Sequence, residues 1–69
     1  MEIGKKLKDA RVKSGFTQET VAEKIHVSRQ TISNWENEKS YPDIISVIAL
    51  SDLYSISLDD LLKGDREMM

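Results

Sequence analysis

The chain of 69 residues has no cysteine, one histidine, one proline and four aromatic side chains. Without cysteine there is no disulfide framework, no thiolate metal site and no thiol nucleophile. The lone histidine, His26, leaves no imidazole cluster to hold a metal, so neither a metal nor another cofactor is expected. Long apolar runs are missing too. The longest stretch free of charge, residues 44–51, covers eight residues, far short of the ~20 that a membrane-crossing helix needs. Residues 1–6 (MEIGKK) lack the apolar segment of a signal peptide, which predicts a cytoplasmic protein. Neither sign of charge dominates: ten Lys and Arg against twelve Asp and Glu give a net charge of −2 and a pI near 5.3. Taken as a whole, that balance speaks against a nucleic-acid partner. What is present is enough chain for one small domain, with 39% hydrophobic residues to supply its entire core.

The charge is unevenly spread. Residues 1–36 carry Lys5, Lys6, Lys8, Arg11, Lys13, Lys24 and Arg29 against Glu2, Asp9, Glu19, Glu23 and Glu36, a net +2. Residues 37–69 carry three bases and seven acids, a net −4. A chain with one basic half can still present a local positive face. Ordinary solvated helix surfaces explain the same numbers, so charge alone leaves the partner open.

Periodicity gives the class. Ile3, Leu7 and Ala10 recur at helical spacing with Lys5, Lys6, Lys8 and Asp9 between them. Ser14 and Gly15 end this first segment, glycine being suited to the left-handed conformation just past a helix. Thr17 is a good N-cap for a second helix with Val21, Ala22 and Ile25 inward, and Ser28 caps a third with Ile32 and Trp35 inward. Pro42 and Asp43 start a fourth, whose inward face is read as Ile44, Val47, Ile48 and Ser51. Ser57 to Asp60 resembles a capping box and opens a fifth, with Leu58, Leu61 and Leu62 inward and Gly64 as its stop. No segment combines strand alternation with hairpin turn chemistry. The expectation is an all-α bundle over residues 1–64, with residues 65–69 a frayed tail or the start of a linker.

Only Ile25, His26 and Val27 separate the second helix from the Ser28 cap. Two short helices joined so tightly cross at a large angle, as in a helix-turn-helix. The outward positions of the third helix are Arg29, Gln30, Thr31, Ser33, Asn34 and Asn37, with a single charge among them. A merely solvated helix face favours Glu and Lys. This one favours side chains that include the bidentate readers of guanine and adenine edges.

The run TQETVAEKIHVSRQTISNWE (residues 17–36), continued by NEKSYPD and by LYSISLDDLLKG (residues 53–64), resembles the Cro/C1-type (XRE) helix-turn-helix family. The resemblance covers residues 3–64 and implies a compact five-helix, lambda-repressor-like DNA-binding domain with helices two and three as the motif. It implies base readout by Arg29, Gln30, Ser33 and Asn34 in the major groove. It also implies backbone contacts from Thr17, Gln18, Thr31, Asn37, Lys39, Ser40 and Tyr41, Gln18 also bracing a side chain of the third helix. Arg11 and Glu36 match a pair that ties the first helix to the motif, a structural role rather than a DNA-binding one. The implied function is sequence-specific binding of double-stranded DNA by a transcriptional regulator of prokaryotic or phage type. The simplest form is a repressor that binds a pseudo-palindromic operator as a homodimer, with Ile45, Leu58 and Leu61 as dimer-contact candidates.

Two positions depart from the family pattern. His26 stands where glycine is common, at a site that often needs positive φ. Glu38 stands at another frequent glycine, where an acid is unhelpful near phosphate unless it points away. Trp35, Phe16 and Tyr54 are read as core, and Tyr41 as a ring that can cover the core while its hydroxyl reaches a phosphate. A second reading stays open: an antitoxin-like or other protein-interaction module on the same fold, using its acidic half. Enzyme chemistry is not expected, because no spacing assembles a nucleophile, a base and an orienting group.

Overall fold

The periodic segments become five helices in a computed structural model, which describes the backbone of residues 3–67 and the side chains of residues 3–62. In chain order they are α1 (Ile3–Lys13), α2 (Gln18–Ile25), α3 (Arg29–Glu36), α4 (Ile44–Tyr54) and α5 (Leu58–Glu67). No strand occurs among the described residues. Each helix contributes to one core: Ile3, Leu7 and Ala10 from α1, Val21 and Ala22 from α2, Ile32 and Trp35 from α3, Val47, Leu50 and Tyr54 from α4, and Leu61 from α5. Phe16, Ile25, Val27, Leu53, Ile56, Leu58 and Leu62 pack around it. Trp35 and Tyr54 are thus core residues, and Phe16 lies 6.5 Å from Tyr54 between ring centroids.

Short polar residues fix the helix starts. Thr17 Oγ1 accepts from the Thr20 amide at 3.1 Å, Ser28 Oγ from the Thr31 amide at 3.1 Å, and Ser57 Oγ from the Asp60 amide at 3.0 Å. Each satisfies an amide that the first turn leaves without an intrahelical partner. Left-handed residues fix the ends. Gly15 follows α1 at φ 79°, His26 follows α2 at φ 64°, and Ser55 follows α4 at φ 53°. His26 therefore takes the strained conformation expected of it, and Val27 N–H closes the turn on Ala22 O at 3.0 Å. Ala22 is buried.

Three expectations need correction. The buried face of α4 is Val47, Leu50, Ser51 and Tyr54, while Ile44, Ile45 and Ile48 are exposed at 65%, 72% and 44%. Apolar residues occupy most positions of α4, so periodicity selects no unique stripe. The Tyr54 ring beside Phe16 then centres the face on residues 47, 51 and 54. Leu61, offered as a dimer contact, is 1% exposed and belongs to the core. Gly64 does not stop α5, whose backbone continues to Glu67. Residues 65–67 of the expected tail are therefore helical, and Met68 and Met69 lie outside the described residues.

Candidate nucleic-acid interface

α3 is amphipathic in an unusual way. Its inner side is Ile32, Trp35 and Glu36, all buried. On the opposite side Arg29 and Gln30 are exposed, and Ser33 and Asn34 are half-buried. Spacings of three and four residues put Arg29, Ser33 and Asn37 on one row and Gln30 and Asn34 on the next. Gln30 Nε2 donates to Asn34 Oδ1 at 3.0 Å. Asn37 Nδ2 donates to Ser33 O at 2.9 Å and to Ser33 Oγ at 3.2 Å. The structure thus brings the four expected base readers together on one open face and joins two of them.

That orientation of Gln30 has a chemical consequence. With one Nε2 hydrogen held by Asn34, Gln30 keeps its Oε1 acceptor and a second Nε2 hydrogen. Those two groups match the N6 donor and N7 acceptor of adenine. Arg29 has the planar fork that pairs with guanine O6 and N7.

The helix is anchored from behind by a buried charge. Arg11 Nε donates to Glu36 Oε2 at 2.7 Å and Arg11 Nη2 to Glu36 Oε1 at 3.1 Å, a two-point pair. The side chains are 12% and 3% exposed. Arg11 Nη1 reaches Phe16 O at 2.9 Å, and Gln18 Nε2 donates to Glu36 Oε1 at 3.0 Å. One carboxylate at the end of α3 therefore holds α1 and the start of α2, and Arg11 ties the turn after α1 to the same cluster. These hydrogen bonds from Arg11 to Glu36 hold the guanidinium more firmly in its charged form, against the opposing cost of burial. Tyr54 lies beside the pair; burial pushes its phenol up to about 12, with the Glu36 charge adding and Arg11 opposing.

The remaining expected contacts fall in two places. Thr17 and Thr31 belong to helix starts: Thr17 Oγ1 donates to Thr20 Oγ1 at 2.9 Å, and Thr31 Oγ1 pairs with Ser28 Oγ at 2.8 Å. Asn37, Lys39, Ser40 and Tyr41 form an exposed stretch from the end of α3 toward α4. Tyr41 is 57% exposed, so its ring does not cover the core. Gln18 braces Glu36, the second of its two expected roles. Among the described residues no group of histidines and acids could hold a metal. Among the described residues, no helix is long and apolar enough to cross a membrane.

One contact had no counterpart in the sequence reading. Glu38, at φ 62°, turns its carboxylate back so that Oε2 accepts from Gly4 N–H at 2.6 Å. The trace it leaves in the sequence is Gly4 itself, a glycine inside a helical pattern, where it costs about 1 kcal/mol relative to alanine.

Comparison with known proteins agrees with this geometry. A sequence profile described as helix-turn-helix matches residues 7–61. The HTH-type transcriptional regulator ImmR of Bacillus subtilis (strain 168) is 43% identical over 65 residues, which are 94% of this chain and 51% of that protein. The HTH-type transcriptional activator BcrR of Enterococcus faecalis is 42% identical over 65 residues, 94% of this chain and 32% of that protein. The chain thus spans about half or less of these curated relatives. Among solved structures, the P22 c2 repressor in complex with synthetic operator 9T in the presence of Tl+ superimposes with a TM-score of 0.84 at 31% identity, covering 93% of this chain and 97% of that one. With the fold, the tight α2–α3 turn and this sequence match together, the chain belongs to the XRE-type helix-turn-helix family.

Proposed function

We propose that this domain binds double-stranded DNA sequence-specifically through α3, as the DNA-binding part of a transcriptional regulator in the cytoplasm. The observation that carries this reading is the open α3 face of Arg29, Gln30, Ser33 and Asn34, with the buried Arg11–Glu36 pair behind it. Arg29, Gln30, Ser33 and Asn34 read bases; Thr17, Gln18, Thr31, Asn37, Lys39, Ser40 and Tyr41 contact the backbone. Occluding a promoter is the simplest action for a small module. The P22 c2 repressor supports repression, and the name of BcrR as an activator marks the alternative.

One module of this size buries too little surface for tight operator binding, so the proposed form on DNA is a dimer on a pseudo-palindromic operator. Ile45 is available for the dimer contact and Leu58 is half-buried. The deciding experiment is selection of bound sequences from a random duplex pool at low salt. Enrichment of paired half-sites with guanine and adenine positions supports the proposal, and a pool that stays random refutes it. The second reading, a protein-interaction module, is favoured by one observation: Tyr41, Ile44, Ile45 and Ile48 are all exposed near the start of α4. It is the reading that survives if no duplex binds saturably.

A further inference from the structure

Glu38 presents a physical contradiction. It is an acid between the proposed reading helix and a proposed phosphate-contacting stretch, and it holds a left-handed conformation that side chains other than glycine rarely adopt. Glycine would remove both the charge and the strain. What the acid supplies is the bond to Gly4 N–H at 2.6 Å, between residues 34 apart in the chain. Gly4 lies in the first turn of α1, where amides lack intrahelical partners and the helix dipole favours negative charge. No acid occupies that turn among its own residues.

The fit on the other side is equally close. A Cβ at Gly4 would lie 2.7 Å from Trp35 O, Glu36 O and Glu38 Oε2. The start of α1 is therefore pressed against the carbonyl end of α3. The backbone of the same segment is fixed to α3 by Glu38 N–H on Trp35 O at 3.3 Å and Lys39 N–H on Asn34 O at 2.9 Å.

We propose that Glu38 is a positioning residue for DNA binding: its carboxylate clasps the start of α1, and this fixes the Lys39–Tyr41 segment for phosphate while turning the acid's own charge away from it. The proposal rests on the DNA-binding reading above. Its strength is that the sign of the effect discriminates. An acid that merely sits near phosphate weakens binding, so removing it tightens binding. A clasp strengthens binding, so removing it does the opposite, even with glycine in the left-handed position.

The test compares Glu38→Gly and Glu38→Gln with the parent on one selected duplex over a salt series, with Gly4 amide exchange measured without DNA. Glutamine keeps an acceptor for Gly4 and removes the charge; glycine keeps the backbone conformation and removes the acceptor. The expected result is affinity within twofold of the parent for Glu38→Gln and at least fivefold weaker for Glu38→Gly. For Glu38→Gly the slope of log affinity against log salt should also flatten by about one, the loss of one phosphate contact. Gly4 exchange should be slow in the parent and in Glu38→Gln and fast in Glu38→Gly. Both variants binding as tightly as the parent or tighter overturns the proposal, as does unchanged Gly4 exchange. A parent that binds no selected duplex, with Gly4 exchange behaving as expected, instead overturns the DNA-binding reading and with it the clasp's role on DNA.

Discussion

Replacing Glu36 by alanine tests the anchoring of α3 most directly. The substitution removes the acceptor of two Arg11 bonds, at 2.7 and 3.1 Å, and of one Gln18 bond at 3.0 Å. It leaves the guanidinium largely enclosed, with only Phe16 O for a partner. Breaking a buried pair by deleting one member costs about 3–5 kcal/mol, mostly from the charge left behind. Arg11 retains 12% exposure, and water can reach it partly, so the lower end of that range, ~3 kcal/mol, applies. A 69-residue domain has about 3–10 kcal/mol of stability in total. The expected drop in midpoint is therefore about 12–24 °C, at roughly 4–8 °C per kcal/mol. Thermal and urea unfolding followed by circular dichroism measure it. The control is Arg11→Met with Glu36→Leu, which removes both charges and should recover most of the loss. Full recovery is not expected, because Phe16 O and Gln18 Nε2 lose their partners. A loss below about 1 kcal/mol in Glu36→Ala, the range of a solvent-exposed pair, would refute the anchoring argument.

Three further outcomes follow from the same geometry. The folded-state phenol of Tyr54 is raised from 10.0 to about 12, so its contribution is complete below pH 10 and is lost as pH rises toward 12. The loss is about 2–3 kcal/mol at 1.36 kcal/mol per unit, and Tyr54→Phe should remove that part of the alkaline decline in urea titrations at successive pH values. His26→Gly and Ser55→Gly should each stabilise by up to about 1 kcal/mol, since left-handed strain of about 1–2 kcal/mol is only partly offset by glycine's greater unfolded-state entropy; a lowered midpoint in both would contradict the strain argument. Gln30→Ala and Asn34→Ala should each change stability by less than about 0.5 kcal/mol and relax base preference. Their effects on operator affinity should couple by about 0.5–3 kcal/mol, because they share a hydrogen bond; strictly additive effects would show that the two side chains read independently.

How legible this fold was depends on whether the deciding signal is local. α1, α2 and α3 were readable because small polar residues and glycine punctuate clear apolar periods, and Thr17 and Ser28 do cap as their types suggest. α4 was misread because five isoleucine, valine and leucine residues crowd into Ile44–Leu50, so only the packing of Tyr54 and Leu50 against the rest selects a face. Gly64 failed as a stop because glycine inside a helix costs only about 1 kcal/mol, too little to end one by itself. Ser55 carried no signal for its left-handed state, since serine is common in turns of other kinds. The site divides in the same way. The proposed reading face follows from residue types on one short helix, whereas Gln18 to Glu36 and Gly4 to Glu38 join residues 18 and 34 apart.

Those two long-range contacts also resolve the acidic balance of the chain. Glu36 and Glu38 are the acids placed in sequence at the end of α3, where they would repel phosphate most strongly. Both carboxylates point elsewhere: Glu36 is buried on Arg11 and Gln18, and Glu38 is bonded to the start of α1. Between residues 29 and 41 the exposed charged side chains are Arg29 and Lys39, a local balance unlike the total of −2. A net charge counts all residues alike, whereas a ligand feels those within about one Debye length, near 8 Å at physiological salt, and feels exposed charges more than paired ones. On the proposed DNA-binding reading, phosphate attraction is therefore limited, and discrimination among sequences would fall to Gln30, Asn34 and Arg29. A low pI and the proposed DNA binding are compatible because two of the twelve acids, Glu36 and Glu38, are the ones next to the proposed reading face, and both are engaged elsewhere, on Arg11 and Gln18 and on Gly4.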